Sequence, residues 1–451
     1  MPFVKNNVRS KRRSKRSRGI KRLIAAGVFF TVIALALWTL VRALIAAVMP
    51  ERGVAAAIAV HAVPASAPWT SAQIARLRRA LDGAFAPALS NRYSLAVIDA
   101  SGRVIYANRD RDAVTPASVQ KLIVANAALD LLGPRYRFHT ILAATQAPKD
   151  GTLDSNLWFV GSGDPSFTSD DLRSGVRQLA RGGLRRIDGA VAVDAGAMSG
   201  PEINPYWDPD DDGEDFQAPV SAVSLDGDTV EAQPNQWVPV HDMPVVVGDA
   251  LDRMLRHAGI EAGRRVTQRA PLDTIVLWDH PSAPLRALVE HMLYVSDNHY
   301  AEQLMRTLAL DAGERADNRN GLAVERAFLS ERGIPTDGLH IVDGSGLAES
   351  DRVAAITLAR ILSDAQLRGG ANQLYMLLPA GGRDGTLTDY DFTTALGRIR
   401  AKTGHLSDAD SLAGYVTTLH HGRVSFAFLI NDSPGDPDSA YVRAVDRLAE
   451  F

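Results

Sequence analysis

Near the N-terminus an uncharged apolar run, Leu23 to Val41, is 19 residues long. As a helix it would span about 28 Å, which matches a bilayer hydrocarbon core of roughly 30 Å. A second run, Val119 to Leu132, is almost wholly apolar and is bracketed by Pro116 and Gly133-Pro134, a helix start and stop. Because apolar residues fall on every face of it, it predicts a helix buried all round. Helical spacing recurs over Thr70 to Phe85, Met243 to Ala258, Leu285 to Tyr294, Tyr300 to Leu310 and Tyr441 to Phe451. Two stretches of β-formers, Ser411 to Thr418 and Val424 to Asn431, flank His420-His421-Gly422-Arg423 and predict a hairpin. Leu95 to Ile98 and Val104 to Tyr106 predict strands that join this hairpin in one antiparallel sheet. The Val119 helix would then pack behind the sheet and the C-terminal helix would cover it, an α/β arrangement of the α+β kind.

Charge divides the chain. Residues 1 to 22 hold ten Lys/Arg and no acid, whereas the remainder has 39 Lys/Arg against 52 Asp/Glu, a net of −13. The basic end predicts a cytoplasmic tail before a membrane anchor. Arg42, Glu51 and Arg52 interrupt the chain before the Ala-rich Val54 to Ala67, so the anchor is expected to stay uncleaved. The acidic remainder argues against nucleic acid as a partner. There is no Cys, hence no disulfide framework and no thiolate metal site. No H-E-x-x-H, phosphate-binding loop or internal repeat occurs, and neither a cofactor nor a metal is expected. At 451 residues the chain has room for two or three domains.

The chemistry enters through lysine. Beyond the basic terminus there are three, Lys121, Lys149 and Lys402, against 36 arginines. Arg cannot give up its proton in a protein, but a desolvated Lys amine can. Two of the three lie in Ser118-Val119-Gln120-Lys121 and Lys402-Thr403-Gly404. With Ser296-Asp297-Asn298 they complete the S-x-x-K, S-D-N, K-T-G set of penicillin-interacting serine enzymes. Alone, each motif is common: a helix start, a cap between helices, a strand end. Their order and context are not. Residues three apart on a helix are neighbours, so Lys121 is expected beside Ser118. Burial and the nearby Lys402 would favour its neutral form. Thr403-Gly404 would lie on a sheet edge open to an extended peptide, with Gly404 leaving room for its backbone.

With these motifs stand Val160-Gly161-Ser162-Gly163-Asp164-Pro165, Asp343-Gly344-Ser345-Gly346-Leu347, Gly382-Arg383-Asp384-Gly385-Thr386-Leu387 and Leu412-Ala413-Gly414-Tyr415. From about Ser94 to Phe451 the sequence resembles the serine D-Ala-D-Ala carboxypeptidase and endopeptidase family, the class C low-molecular-mass penicillin-binding proteins. The resemblance implies a penicillin-binding, β-lactamase-like transpeptidase fold: a serine-peptidase domain over 91–136 and 286–451, with an inserted domain over 137–285. Residues 1–22 are then the tail, 23–49 the anchor and 50–90 a tether carrying a short helix. It further implies Ser118 as acylated nucleophile, Lys121 as its base, Ser296 as proton relay to the leaving amine and Asn298 as a ligand of the substrate amide. Lys402 and Thr403 would bind the terminal carboxylate. The backbone N–H groups of Ser118 and His405 would form the oxyanion hole. An acidic, aromatic segment that meets the free amino end of the stem peptide corresponds to Trp207 to Phe216; counting back from Phe216 favours Asp211 among Asp208, Asp210, Asp211 and Asp212. Leu347 and Leu406 would line the same cleft.

Three features depart from the family pattern. His405 stands where Thr or Ser usually follows K-T-G. Ala348-Glu349 replaces Ser-Arg. The insert is short, with the missing part between Val240 and His241. The expected function is hydrolysis of the D-Ala-D-Ala bond of peptidoglycan stem peptides, with cross-link cleavage as a second activity and β-lactams as inhibitors, in the periplasm at the inner membrane. A β-lactamase or esterase would need a deacylating base that the sequence does not display. An inactive peptidoglycan-binding scaffold would have no need for a lysine able to deprotonate. Oligomeric state is not readable from the sequence.

Overall fold

A computed structural model describes residues 67–211, 213–233, 236–368 and 371–451. The basic tail, the 23–41 apolar run and Asp212 lie outside the described residues. Among those described, no helix is long and apolar enough to cross a membrane.

One five-stranded antiparallel sheet organises the region of the S-x-x-K and K-T-G motifs. Its order runs Ile399–Leu406, Ala409–Thr417, Arg423–Asn431, Arg92–Ile98, Val104–Asn108, so strands from the two ends of the described chain meet at its middle. Alternation along each strand supplies two apolar faces. Ala96, Ile98, Ala413, Tyr415, Ala427 and Leu429 face the helix Lys121–Leu131, its neighbours Leu285–Val295 and Asn298–Asp311, and the helix Ala355–Leu367. Leu95, Val97, Leu412, Phe426, Phe428 and Ile430 face the helices Ser71–Phe85 and Pro437–Ala449.

Expected in a tether, the helix Ser71–Phe85 instead belongs to this core. Leu77, Leu81 and Phe85 are completely buried, and the Phe85 ring meets Phe428 edge-on at 4.9 Å. Thr70 and Gln73 close a reciprocal cap at its start. The helix Lys121–Leu131 is buried from Lys121 through Ala128, as its uniformly apolar faces predict. A short 3-10 turn, Ala117–Gln120, precedes it.

Residues between the strands His139–Ala144 and Ile275–Pro281 build a separate five-stranded sheet. The helices Ser169–Arg181 and Met243–His257 pack against it, and Leu172, Val176, Val247 and Leu251 close its core. A hairpin, Thr229–Gln233 with Gln236–Pro239, projects from this lobe.

Candidate active site

The sheet clamps the chain just ahead of Ser118. Asn431 Oδ1 accepts the Thr115 N–H at 3.0 Å and its Nδ2 donates to the Thr115 carbonyl at 3.2 Å; Ser411 Oγ donates to the Pro116 carbonyl at 2.6 Å. Ala117 then takes φ +50°, a left-handed conformation unusual for a residue with a Cβ, and Ser118 sits on the 3-10 turn that follows. One turn on, Lys121 Nζ lies 2.8 Å from Ser118 Oγ, 2.6 Å from Asn298 Oδ1 and 2.8 Å from the Ser345 carbonyl. A neutral amine has two hydrogens for those two carbonyl-type acceptors and one lone pair left for the serine proton. Burial pushes Lys121 down to about 8, against the pull of Asp343, Asp297 and Glu302.

Ser296-Asp297-Asn298 is both a cap and the turn that brings Asn298 to Lys121. Ser296 at φ +64° ends one helix, and Asp297 caps the next by accepting the Tyr300 N–H at 3.0 Å. Asp297 thus does the capping and leaves its neighbours free. Asn298 uses both ends of its amide, accepting from Lys121 and donating through Nδ2 to the Phe216 carbonyl at 3.0 Å.

Strand alternation places Lys402 on the face toward the serine helix, and it is fully buried there. Burial, reinforced by the Lys121 charge, holds Lys402 well below the ordinary lysine range. Its Nζ donates to the Thr403 carbonyl at 2.7 Å, and Thr403 Oγ1 donates to Thr386 Oγ1 at 2.7 Å. The edge strand approaches Ser118 closely: a Cβ on Gly404 would stand 2.8 Å from the Ser118 backbone nitrogen. His405 is exposed, its Nδ1 2.6 Å from Asp410 Oδ1 across the strand pair.

This assembly sits on a sheet-edge strand, a strained turn and a two-helix junction drawn from residues 118 to 405. A family model, the D-Ala-D-Ala carboxypeptidase 3 (S13) family, matches residues 78–239 and 231–450. The chain belongs to that family. Among similar proteins, the D-alanyl-D-alanine carboxypeptidase of Actinomadura sp. (strain R39) is 28% identical, over 86% of this chain and 87% of the relative. Carboxypeptidase DacB of Mycolicibacterium smegmatis is 30% identical over 82% and 83%. The crystal structure of penicillin binding protein 4 (dacB) from Haemophilus influenzae aligns with a TM-score of 0.73 at 22% identity, over 83% of this chain and 98% of that one. A second structure of the same protein holds a β-lactam.

The remaining predicted residues of this S13 chain distribute unevenly. Phe216, 39% exposed, lines a cavity of about 320 Å³ with Asp215, Trp237, Ser296 and Asn298; Asp211 is not among its lining residues. Asp211 lies in the short turn Pro209–Asp211, its N–H bonded to the Asp208 carbonyl. Leu347 and Leu406 are both half-buried. A larger cavity, about 660 Å³, lies in the inserted lobe among Arg173, Val176, Met243, Arg253 and His257. It contains none of the motif residues, so chemistry and not volume picks the site.

Several participants escape a motif-by-motif reading. Thr386, from Gly382 to Leu387, steadies Thr403. Asp343 and Ser345, from Asp343 to Leu347, stand behind Lys121. Glu302 carries no motif signal; it is fully buried and accepts from the Gly344 and Ser345 N–H groups at 2.8 Å each. Burial and the Asp343 charge push its carboxyl up to about 8.

Proposed function

We propose that this S13 protein is a serine-type D-Ala-D-Ala carboxypeptidase acting on peptidoglycan stem peptides through an acyl-enzyme on Ser118, and that β-lactams acylate the same serine. The observation that carries the reading is the buried Lys121 amine 2.8 Å from Ser118 Oγ, with its two other partners both acceptors.

The geometry supports the following steps. An extended peptide lies along the edge strand with its terminal carboxylate at Lys402 and Thr403. The carboxylate draws a proton onto Lys402, and that charge drives Lys121 toward the free base. Lys121 takes the Ser118 proton as Oγ bonds the carbonyl carbon. The oxygen becomes an oxyanion facing the Ser118 and His405 N–H groups, donors aimed at charge absent from the ground state. Collapse breaks the C–N bond while the proton on Lys121 passes by way of Ser296 to the leaving D-Ala amine. Water then releases the acyl group. Only the leaving amine differs when the bond is a cross-link, so the same centre serves as an endopeptidase.

Asn298 holds the substrate amide, with Leu347, Leu406 and Phe216 on its apolar flank. The acidic segment Trp207 to Phe216 receives the free amino end of the stem, through Asp211 or through Asp215 in the cavity beside Asn298. Residues 23–49 anchor the enzyme in the inner membrane with the catalytic part in the periplasm.

A gel with fluorescent penicillin, wild type beside Ser118→Ala, tests the proposal together with release of D-Ala from a D-Ala-D-Ala peptide. The adduct belongs between Ala117 and Leu132, and undiminished labelling of Ser118→Ala would sink the assignment.

A further inference from the structure

Behind Lys121 lies a buried carboxylate that none of these steps uses. We propose that Asp343 is the positioning residue of acylation: it fixes the 343–348 turn so that the Ser345 carbonyl meets Lys121 Nζ, and through Trp207 it fastens the inserted segment to the catalytic centre. The inference rests on the acyl-enzyme reading above and adds a residue to it.

Asp343 is completely buried, yet both its oxygens are supplied with donors. Oδ1 accepts the Gly346 N–H at 2.6 Å and Gln120 Nε2 at 3.1 Å. Oδ2 accepts the Ala348 N–H at 2.8 Å and the Trp207 indole N–H at 2.9 Å. These donors come from the turn itself, from the residue preceding Lys121 and from the inserted lobe. Gln120 Nε2 also reaches the Asp343 carbonyl at 2.6 Å. The turn is closely fitted: Gly346 has φ +78°, and a Cβ there would collide with the Ala117 carbonyl. On its far side Glu302 holds the Gly344 and Ser345 N–H groups.

Ser345 therefore has its N–H pinned by Glu302 and its following residues pinned by Asp343, and its carbonyl accepts from Lys121 Nζ at 2.8 Å. That carbonyl and Asn298 Oδ1 take the two hydrogens of the neutral amine, and so aim the lone pair at Ser118 Oγ. A half-ångström drift of the turn would spoil that alignment at a cost typical of misplaced catalytic groups.

Asp351 is buried in the same cluster as Asp343. It lies beside Asp343, accepts the Val342 N–H through Oδ1 at 2.8 Å, and is pushed up to about 10 by burial and by the Asp343 charge. Its other oxygen has no hydrogen-bond partner among the described residues. The charged and titratable groups facing Lys121 are thus Asp343, Glu302, Asp297 and Lys402.

The experiment measures penicillin acylation from pH 6 to 10 in full-length wild type, Asp343→Asn, Asp351→Asn and Trp207→Phe. Loss of the Asp343 charge removes a partner of the Lys121 ammonium, so the pH midpoint of acylation should fall by about one unit, with a rate loss of about tenfold or more as the turn loses an acceptor. Asp351→Asn exchanges a neutral acid for a neutral amide and should leave the midpoint in place. Trp207→Phe keeps the charge and removes one donor; it should slow acylation several-fold at an unchanged midpoint. An unmoved midpoint in Asp343→Asn, or an equal shift in Asp351→Asn, overturns the proposal. If Asp343→Asn does not fold, Trp207→Phe decides alone, and acylation at the wild-type rate in that variant overturns it.

Discussion

The two buried lysines predict opposite pH dependences for acylating agents with and without a carboxylate. Lys121 is held at about 8, and Lys402 is pushed down further by burial and by the Lys121 charge, so when the pair holds a single proton Lys121 carries it. Penicillin needs that proton on Lys402, facing its carboxylate, with Lys121 free. The pair as a whole must therefore hold one proton. The second-order acylation constant, which reports the free enzyme, should fall through about pH 8. With Lys121 at about 8, the fraction still holding the proton drops from about 91% at pH 7 to about 9% at pH 9, a tenfold loss. A carboxylate-free activated ester needs only neutral Lys121 and should gain the same factor over the same interval. Stopped-flow trapping of the acyl-enzyme with each reagent, at constant ionic strength, gives both curves. If penicillin acylation rises between pH 7 and 9 alongside the ester, the pair does not share a proton in this way and the role given to Lys402 fails.

Asn298→Asp places a carboxylate 2.6 Å from Lys121 Nζ; it should raise the acylation midpoint by about one pH unit and cut ester acylation at pH 7 about tenfold, and an unshifted midpoint would contradict the contact. Arg306 donates from inside the fold to the Ser199, Pro201 and Val220 carbonyls and to Asn318 Oδ1, so Arg306→Met should cost about 3 kcal/mol by leaving these acceptors unpaired, read as a lower Tm; no change would mean that solvent replaces it. Asp211→Ala and Asp215→Ala, compared by kcat/KM on stem peptides with free and acetylated amines, should separate the two acids: the one that reads the ammonium loses more on the free amine, and equal losses on both substrates in both variants would leave the segment as a solvated loop. Fractionation with N-terminal sequencing should find the full chain in the inner membrane, whereas a soluble form beginning near Ala65 to Pro68 would show a long signal peptide.

How much of this was legible in the sequence depended on the range of the interaction. The Ser118–Lys121 contact is three residues long and follows from helical spacing. The central sheet follows from short apolar alternations at the two ends of the catalytic region, and its pairing of Arg92–Ile98 with Arg423–Asn431 needed only a family-level topology. Asp297 as the cap within Ser296-Asp297-Asn298 reconciled two readings that spacing alone could not separate. Glu302 was invisible because nothing local distinguishes a buried acid from an exposed one on a helix; its partners are about 40 residues away. The helix Ser71–Phe85 looked peripheral because Arg76, Arg78 and Arg79 make its outer face polar, while the few residues it buries, Leu77, Leu81 and Phe85, matter only once Phe428 and Tyr441 are beside them. Asp211 against Asp215 was beyond counting, since a turn between them decides which one reaches the cavity.

The clamp on Thr115 comes from Asn431, 316 residues later in the chain. Long-range pairings of this kind form late, because the closure entropy must be met before the contacts repay it. A nascent chain still lacking its last strand therefore has its serine, Lys121 and Lys402 but neither the Asn431 clamp on Thr115 nor the strand that joins the Lys402 hairpin to Arg92–Ile98. Reactivity toward penicillin then becomes a reporter of completed synthesis and folding: fragments truncated before Asn431 should stay dark, and pulse-labelled protein should acquire covalent label only as the C-terminal strand docks.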